Sequence, residues 1–403
     1  MRWFVVADGA YPGSMPLFDV KVRTDSRLGR RTESIFGFLD RVNRPEFAVV
    51  RDLMNGWFER FPAEAHADLR ARFSSDDPGQ SLGAFWELYL HELFRARGYT
   101  LKRDPEVPGT SRRPDFLVSG EGGEFYLEAT TIGYSKDEMA ARRRRNVVLD
   151  LVDEAQNPDF WVTIQVPGEG RKTPSRRDIV PKLEGQLNSL DWATVVNSDG
   201  AQPEFDLHAR DWVLHFRVHA RDEALRGDPL FPMIGMGPSW AGYVDERQYI
   251  ESDLRAKSTR YGRPDKPFVI GALCLRDFAT DESIEQALYG PQVIRVPVVD
   301  GTGSIGDAEA ARDPHAFWQW GQEQRATRVS AVLTARHINP WVLLEPHLML
   351  WKNPWASLPL EVELPFRTAT GNLRQNRLEF ADATAEARDV LGLRDGWPAP
   401  PSE

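Results

Sequence analysis

Three acids, set apart in the chain, have types and surroundings that could serve one reaction. Asp115 follows Pro114 at the head of a strand-like run, Phe116-Leu-Val-Ser119. Glu128 stands near the end of a second run, Phe125-Tyr-Leu-Glu-Ala-Thr130, across the turn Ser119-Gly-Glu-Gly-Gly123. Glu87 lies on Leu82-Gly-Ala-Phe-Trp-Glu-Leu-Tyr-Leu-His-Glu-Leu-Phe94, at the rim of that segment's apolar face. Carboxylates from one helix and two paired strands can converge on a hard divalent cation. Such a cation neutralises a scissile phosphate, activates water near neutral pH and stabilises the leaving oxygen, which are the needs of phosphodiester hydrolysis.

The elements that would position these acids follow from periodicity. Leu82, Phe85, Trp86, Tyr89, Leu90, Leu93 and Phe94 recur at helical spacing, and Gly98 sits where a helix ends. Strands are expected at roughly 99–103, 115–119 and 124–131, the last two joined as a hairpin. A period of two puts Tyr126, Glu128 and Thr130 on one face and Phe125, Leu127 and Ala129 on the other. A helix over 136–155 and a strand over 160–166 come next, then a helix near 179–190. Upstream, residues 33–75 read as helical. Downstream, strands are expected at 212–219, 267–275, 293–298, 329–333, 341–344 and 358–364, with helices over 248–261 and 281–288. A short strand over 3–6 opens the chain.

The segment 80–167 resembles the PD-(D/E)XK nuclease superfamily, whose order is helix with Glu, strand, strand beginning Pro-Asp, strand with Glu-x-Lys, helix, strand. Glu87 matches the helix acid, Pro114-Asp115 the second strand's start and Glu128-Ala129-Thr130 the third strand's motif. The resemblance implies Asp115 and Glu128 as direct ligands of Mg2+ or Mn2+, Glu87 as a ligand directly or through water, and the carbonyl of Ala129 as a further donor. It also implies a lysine that orients the attacking water, and here Thr130 stands at that position. A hydroxyl can hydrogen-bond a water but brings no charge. Lys136, just after the third strand, and Lys257, on the helix at 248–261, are the candidates for an ammonium arriving from elsewhere. His91, one turn beyond Glu87, is another group that could face the site. Arg112 and Arg113 beside Asp115, and Arg142 and Arg143 within the run 142–145, are the candidate phosphate contacts.

Composition sets the outer bounds. The 403 residues are 41% hydrophobic and 27% charged, as in ordinary globular chains. A net charge of -10 argues against a protein that coats nucleic acid non-specifically but allows a local basic groove. Cys274 is the single cysteine, which excludes a disulfide framework and a Cys-rich zinc site. No apolar run reaches about eighteen residues, and the start of the chain is not a signal peptide, so a cytoplasmic protein without a membrane span is expected. His91-Glu92-Leu-Phe-Arg95 lacks the second histidine of a zinc protease motif, and no nucleophile elbow or Walker-type phosphate loop occurs. Gly301-Thr-Gly-Ser-Ile-Gly306, preceded by Val298-Val299, has the outline of a dinucleotide loop, but Asp307-Ala-Glu-Ala continues into an acidic helix and no βαβ context surrounds it, so it reads as a loop.

The expected fold class is α/β: a restriction-endonuclease-like core with a mixed central sheet flanked by helices. A helical N-terminal extension (1–79) precedes the core (80–199), an α/β to β-rich C-terminal region (200–393) follows it, and 394–403 is a disordered tail. The expected function is metal-dependent hydrolysis of DNA, with bacterial defence or DNA processing implied by the resemblance alone. The alternative is a nuclease-fold module that has lost cleavage and binds nucleic acid or a protein. A homodimer fits a double-strand cut.

Overall fold

The computed structural model describes residues 15–198, 200–227, 231–235, 245–296, 308–318, 324–344, 347–373 and 377–399. The chain divides into two compact units, one of residues 1–27, 34–133 and 244–403, the other of 28–33 and 134–243. In the first unit the chain forms helices α1 (Ile35–Arg41), α2 (Pro45–Arg60), α3 (His66–Phe73) and α4 (Pro78–Ala96), then strands β1 (Thr100–Arg103), β2 (Phe116–Gly120) and β3 (Gly123–Ile132). The second unit holds α5 (Lys136–Asp153), β4 (Phe160–Gly168), α6 (Arg176–Asn188), α7 (Trp192–Val196), β5 (Glu204–Ala209) and β6 (Trp212–Ala220). The first unit resumes with α8 (Arg247–Ser258), β7 (Phe268–Cys274), α9 (Asp281–Tyr289), β8 (Gln292–Arg295), β9 (Glu309–Arg312), β10 (Ala331–Arg336), β11 (Met349–Lys352), β12 (Arg367–Asn372), β13 (Arg377–Ala381) and α10 (Ala387–Val390).

A mixed eight-stranded sheet organises the first unit, in the order β1-β2-β3-β7-β10-β11-β12-β13. The meander β1-β2-β3 is antiparallel, and β3, β7 and β10 run parallel. Alternate residues enter two different cores. Phe125, Leu127, Val269, Leu273, Ala331 and Leu333 pack with α2, α3 and α4, whereas Tyr126, Ile132, Ile270, Ala272 and Val332 pack with α8 and α9. Helices therefore cover both faces, which is why β7 (Phe-Val-Ile-Gly-Ala-Leu-Cys) is buried at every position.

Local chemistry fixes α4 at both ends. The Asp77 side chain accepts from the Gly79 and Gln80 amides ahead of Pro78. At the far end Gly98 adopts φ 83°, and the Gly98 and Tyr99 amides close on the Arg95 and Phe94 carbonyls, a Schellman stop. Between these caps α4 lies tight against β7. The Trp86 indole donates to the Gly271 carbonyl at 2.9 Å, and a Cβ on Gly271 would come within 2.8 Å of Leu90 Cδ1.

Several expectations are corrected. The helix 136–155 and the strand 160–166 do not complete the core. They form α5 and β4 of the second unit, where β4, β6 and β5 make a separate antiparallel sheet over their own apolar core. The place beside β3 belongs to β7, reached through α8. The boundary at 199 falls accordingly, because strands from both sides of it share one sheet. Residues 341–344 and 358–364 form no strand beyond a bridge at Val342. Residues 394–399 are described, with Trp397 packed on the first core, while 400–403 lie outside the described residues, as do the strand 3–6 and the glycine loop 301–306.

The seat of α4 on β7 yields a stability prediction. Trp86→Ala should lower unfolding stability by about 3–5 kcal/mol, since it deletes a buried ring and orphans a carbonyl. A urea denaturation curve showing a loss under about 1 kcal/mol would contradict this seating.

Candidate active site

Glu128 is the centre of the site. Its position in β3 gives it the α8 side of the sheet, paired in register with Ile270 of β7, and it is only 2% exposed. A carboxylate there needs partners, since burying an unpaired charge is costly. They come from the end of α8 and the turn after it. Lys257 Nζ donates to Glu128 Oε1 at 3.0 Å, Arg260 Nη1 donates to the same oxygen at 3.1 Å, and the Tyr261 hydroxyl donates to Oε2. Ile250, Leu254 and Tyr261 seat this segment in the core, and Lys257 continues their stripe.

Asp115 is the cross-strand neighbour. β2 and β3 pair Phe116 with Leu127, so one step further along the register Asp115 faces Glu128. Asp115 Oδ2 accepts the Ala129 amide at 2.7 Å. Burial raises this carboxyl well above the usual range, the nearby Glu128 and Glu87 charges raise it further, and the Ala129 amide and Lys257 oppose them.

Glu87 approaches from α4 and is 4% exposed. Arg72 of α3 donates to its Oε2 at 2.6 Å, and Arg103 of β1 lies 3.4 Å from Oε1, an oxygen that makes no hydrogen bond among the described residues. Both arginines also pair with Asp68, at 2.9 and 3.7 Å. Beside Arg103 opens a cleft of about 510 Å³ walled by Lys102, Arg113, Lys266, Glu106 and Asp265; neither Asp115 nor Glu128 lines it.

The candidates from the sequence thus separate. Glu87, Asp115 and Glu128 interact electrostatically within one unit, with the Ala129 amide between the last two and Thr130 two residues beyond Glu128 on the same face. Among the described residues, however, no three His, Cys, Asp or Glu side chains form a group able to hold a metal ion. Arg113 pairs with Glu106 at 3.0 Å in the loop before β2, and Arg112 is exposed there. Lys136, Arg142 and Arg143 belong to α5 of the second unit, where the Arg142 guanidinium stacks on Tyr134 at 4.2 Å. His91 is buried against Phe61 and Phe116, its pKa lowered to about 4 mainly by burial, so it is a core residue. Of the two lysines considered, Lys257 is the one that reaches Glu128. Arg72, Arg260 and Tyr261 were not anticipated. The helical stripe Ile250, Leu254, Lys257, Tyr261 was the available signal for the last, since it aims a lysine and a tyrosine where apolar residues should go.

The chemistry available is that of a buried acid pair backed by fixed cations. Asp115 and Glu128 with a backbone carbonyl suit a largely hydrated Mg2+, which takes one or two protein carboxylates and keeps several waters. Among the described residues Glu87 Oε1 accepts no hydrogen bond and has only the ion-pair contact with Arg103. No family model, curated protein or solved structure matches this chain.

The Asp115 environment has a thermodynamic signature. A carboxyl whose folded pKa is raised stabilises the fold fully below its ordinary value of 3.8 and loses that contribution as pH rises through the folded value. Asp115→Asn should therefore melt higher than the parent at pH 8 in chelator, with the gap closing toward pH 4. Parallel melting-temperature profiles for the two proteins would refute the proposed environment of Asp115.

Proposed function

We propose that the protein is a divalent-metal-dependent nuclease of the PD-(D/E)XK kind, hydrolysing DNA phosphodiester bonds. The observation that carries this reading is the 3.0 Å contact of Lys257 with Glu128. It supplies an ammonium beside the motif acid in a chain that has Thr130 at the usual lysine position. The element order adds support: α4 with Glu87, the meander β1-β2-β3 with Asp115 and Glu128, then α8 and the parallel strand β7. That is the order of the resembled family, with the second unit inserted between β3 and α8.

In this reading Asp115, Glu128 and the Ala129 carbonyl would hold the ion, which supplies charge neutralisation and a more acidic water. Lys257 keeps its ammonium at Glu128, orients the attacking water and offsets charge growing on the phosphoryl oxygens. Tyr261 holds the second Glu128 oxygen and so fixes the direction of the first. Glu87 acts through Arg72 and Arg103, which neutralise it at the edge of the site. Arg113, on the wall of the neighbouring cleft, would meet the DNA backbone.

A second reading, a DNA- or protein-binding module without cleavage, is favoured by one feature: both Glu128 oxygens already have partners. Incubation with plasmid and linear DNA in Mg2+ or Mn2+ separates the two. The nuclease reading expects cleavage that Asp115→Ala abolishes and Lys257→Ala slows by about 10²- to 10³-fold. Thr130→Lys in the Lys257→Ala background should recover part of the loss, because it returns an ammonium to the neighbouring position on the same face. Equal cleavage by Asp115→Ala and the parent would remove this site from consideration.

A further inference from the structure

We propose that Arg260 is a displaceable counter-ion that keeps Glu128 closed to a divalent cation until a phosphodiester draws the guanidinium away, so that DNA and metal reinforce each other's binding. This rests on the nuclease reading above and adds to it a residue and an order of events. The three Glu128 partners are not alike. Tyr261 is 3% exposed and neutral, and Lys257 is in the last turn of α8 with its side chain 25% exposed. Arg260 lies past the helix end at Thr259, in a turn, with its side chain 44% exposed. It shares Oε1 with Lys257, so its departure leaves Glu128 still paired. Of the three it is the partner released at least cost.

The guanidinium is also the group best suited to a phosphate. Among the described residues only its Nη1 is engaged, while a guanidinium offers five donors in a planar fork that matches two phosphate oxygens. Its carbon lies 5.9 Å from the Tyr261 ring centroid, over the ring face, so an aromatic contact is available when it leaves Glu128.

Charge makes the two events interdependent. Four bases (Arg72, Arg103, Lys257 and Arg260) face the acids Asp68, Glu87, Asp104, Asp115 and Glu128, and Glu128 alone takes two of them. A dication arriving alone would meet a site whose key carboxylate is occupied. A phosphodiester brings a negative charge and removes one competitor from Glu128 in the same move.

The test is calorimetric titration of the full chain with Ca2+, alone and with a saturating 20-base-pair DNA duplex. For the parent, the duplex should tighten Ca2+ binding by about tenfold or more, within the usual range of coupling between sites. Arg260→Met should bind Ca2+ alone about tenfold more tightly than the parent and lose most of the coupling. Arg260→Lys, which keeps the charge without the fork, should hold Ca2+ affinity near the parent's while weakening the coupling. A purely structural role predicts the reverse, weaker Ca2+ binding in Arg260→Met, and that result or an unchanged affinity overturns this inference alone. Absence of Ca2+ binding by the parent and by Arg260→Met, with or without duplex, overturns the metal reading itself.

Discussion

The pairing of Glu128 with the end of α8 is the interaction on which the first unit's site depends. A carboxylate placed at mid-strand in a sheet covered on both faces has no water to turn to, and it is tolerated only where fixed donors meet it. Lys257, Arg260 and Tyr261 are those donors, and all three arrive from one short stretch of chain. The segment is held by apolar contacts of Ile250 and Leu254 on the same sheet face. Polar satisfaction and core packing are thus the same event here: α8 cannot dock without pairing Glu128, and Glu128 cannot be buried without α8.

The other two acids show how charge is distributed around that centre. Glu87 is neutralised by arginines from α3 and β1, so the helical N-terminal segment is part of the site's electrostatics and not merely a cover. Asp115 has a backbone amide and, among the described residues, no cation in direct contact, and two acids press on it. Such a carboxyl costs the fold stability when it is ionised.

Much of this was legible from residues alone, and the reasons for the gaps are physical. The α4 stripe, its Gly98 stop, the β2–β3 hairpin and the face carrying Glu128 all arise from local periodicity and turn chemistry, and each is found as read. What periodicity could not provide was the partner of β3. β7 is apolar at every position because it is buried on both sides, so it carries no alternation to report a face. The segment 160–166 does alternate, Phe160 and Val162 buried with Trp161 and Thr163 partly exposed. That pattern belongs to a sheet covered on one side, which β4 is, and it argued against a central place all along. A contact between residues 129 apart, as between Glu128 and Lys257, is beyond any window of local pattern.

That the ammonium facing Glu128 comes from α8 and not from β3 has a structural consequence of its own. A lysine at position 130 would sit on the same strand as Glu128 and would be present as soon as the hairpin formed. A lysine on α8 joins the acid only when the chain has returned from the whole of the second unit and packed its helix on the sheet. Loop-closure entropy makes such an insertion cheap in stability, because its cost rises only with the logarithm of length. It is less cheap in contact order, since acid and base now meet late and from far apart in the chain. The site is accordingly a product of the finished tertiary fold: with α8 undocked, β1-β2-β3 would hold acids without their cations. A truncated hairpin could keep the motif residues and still lack the arrangement that gives them a use.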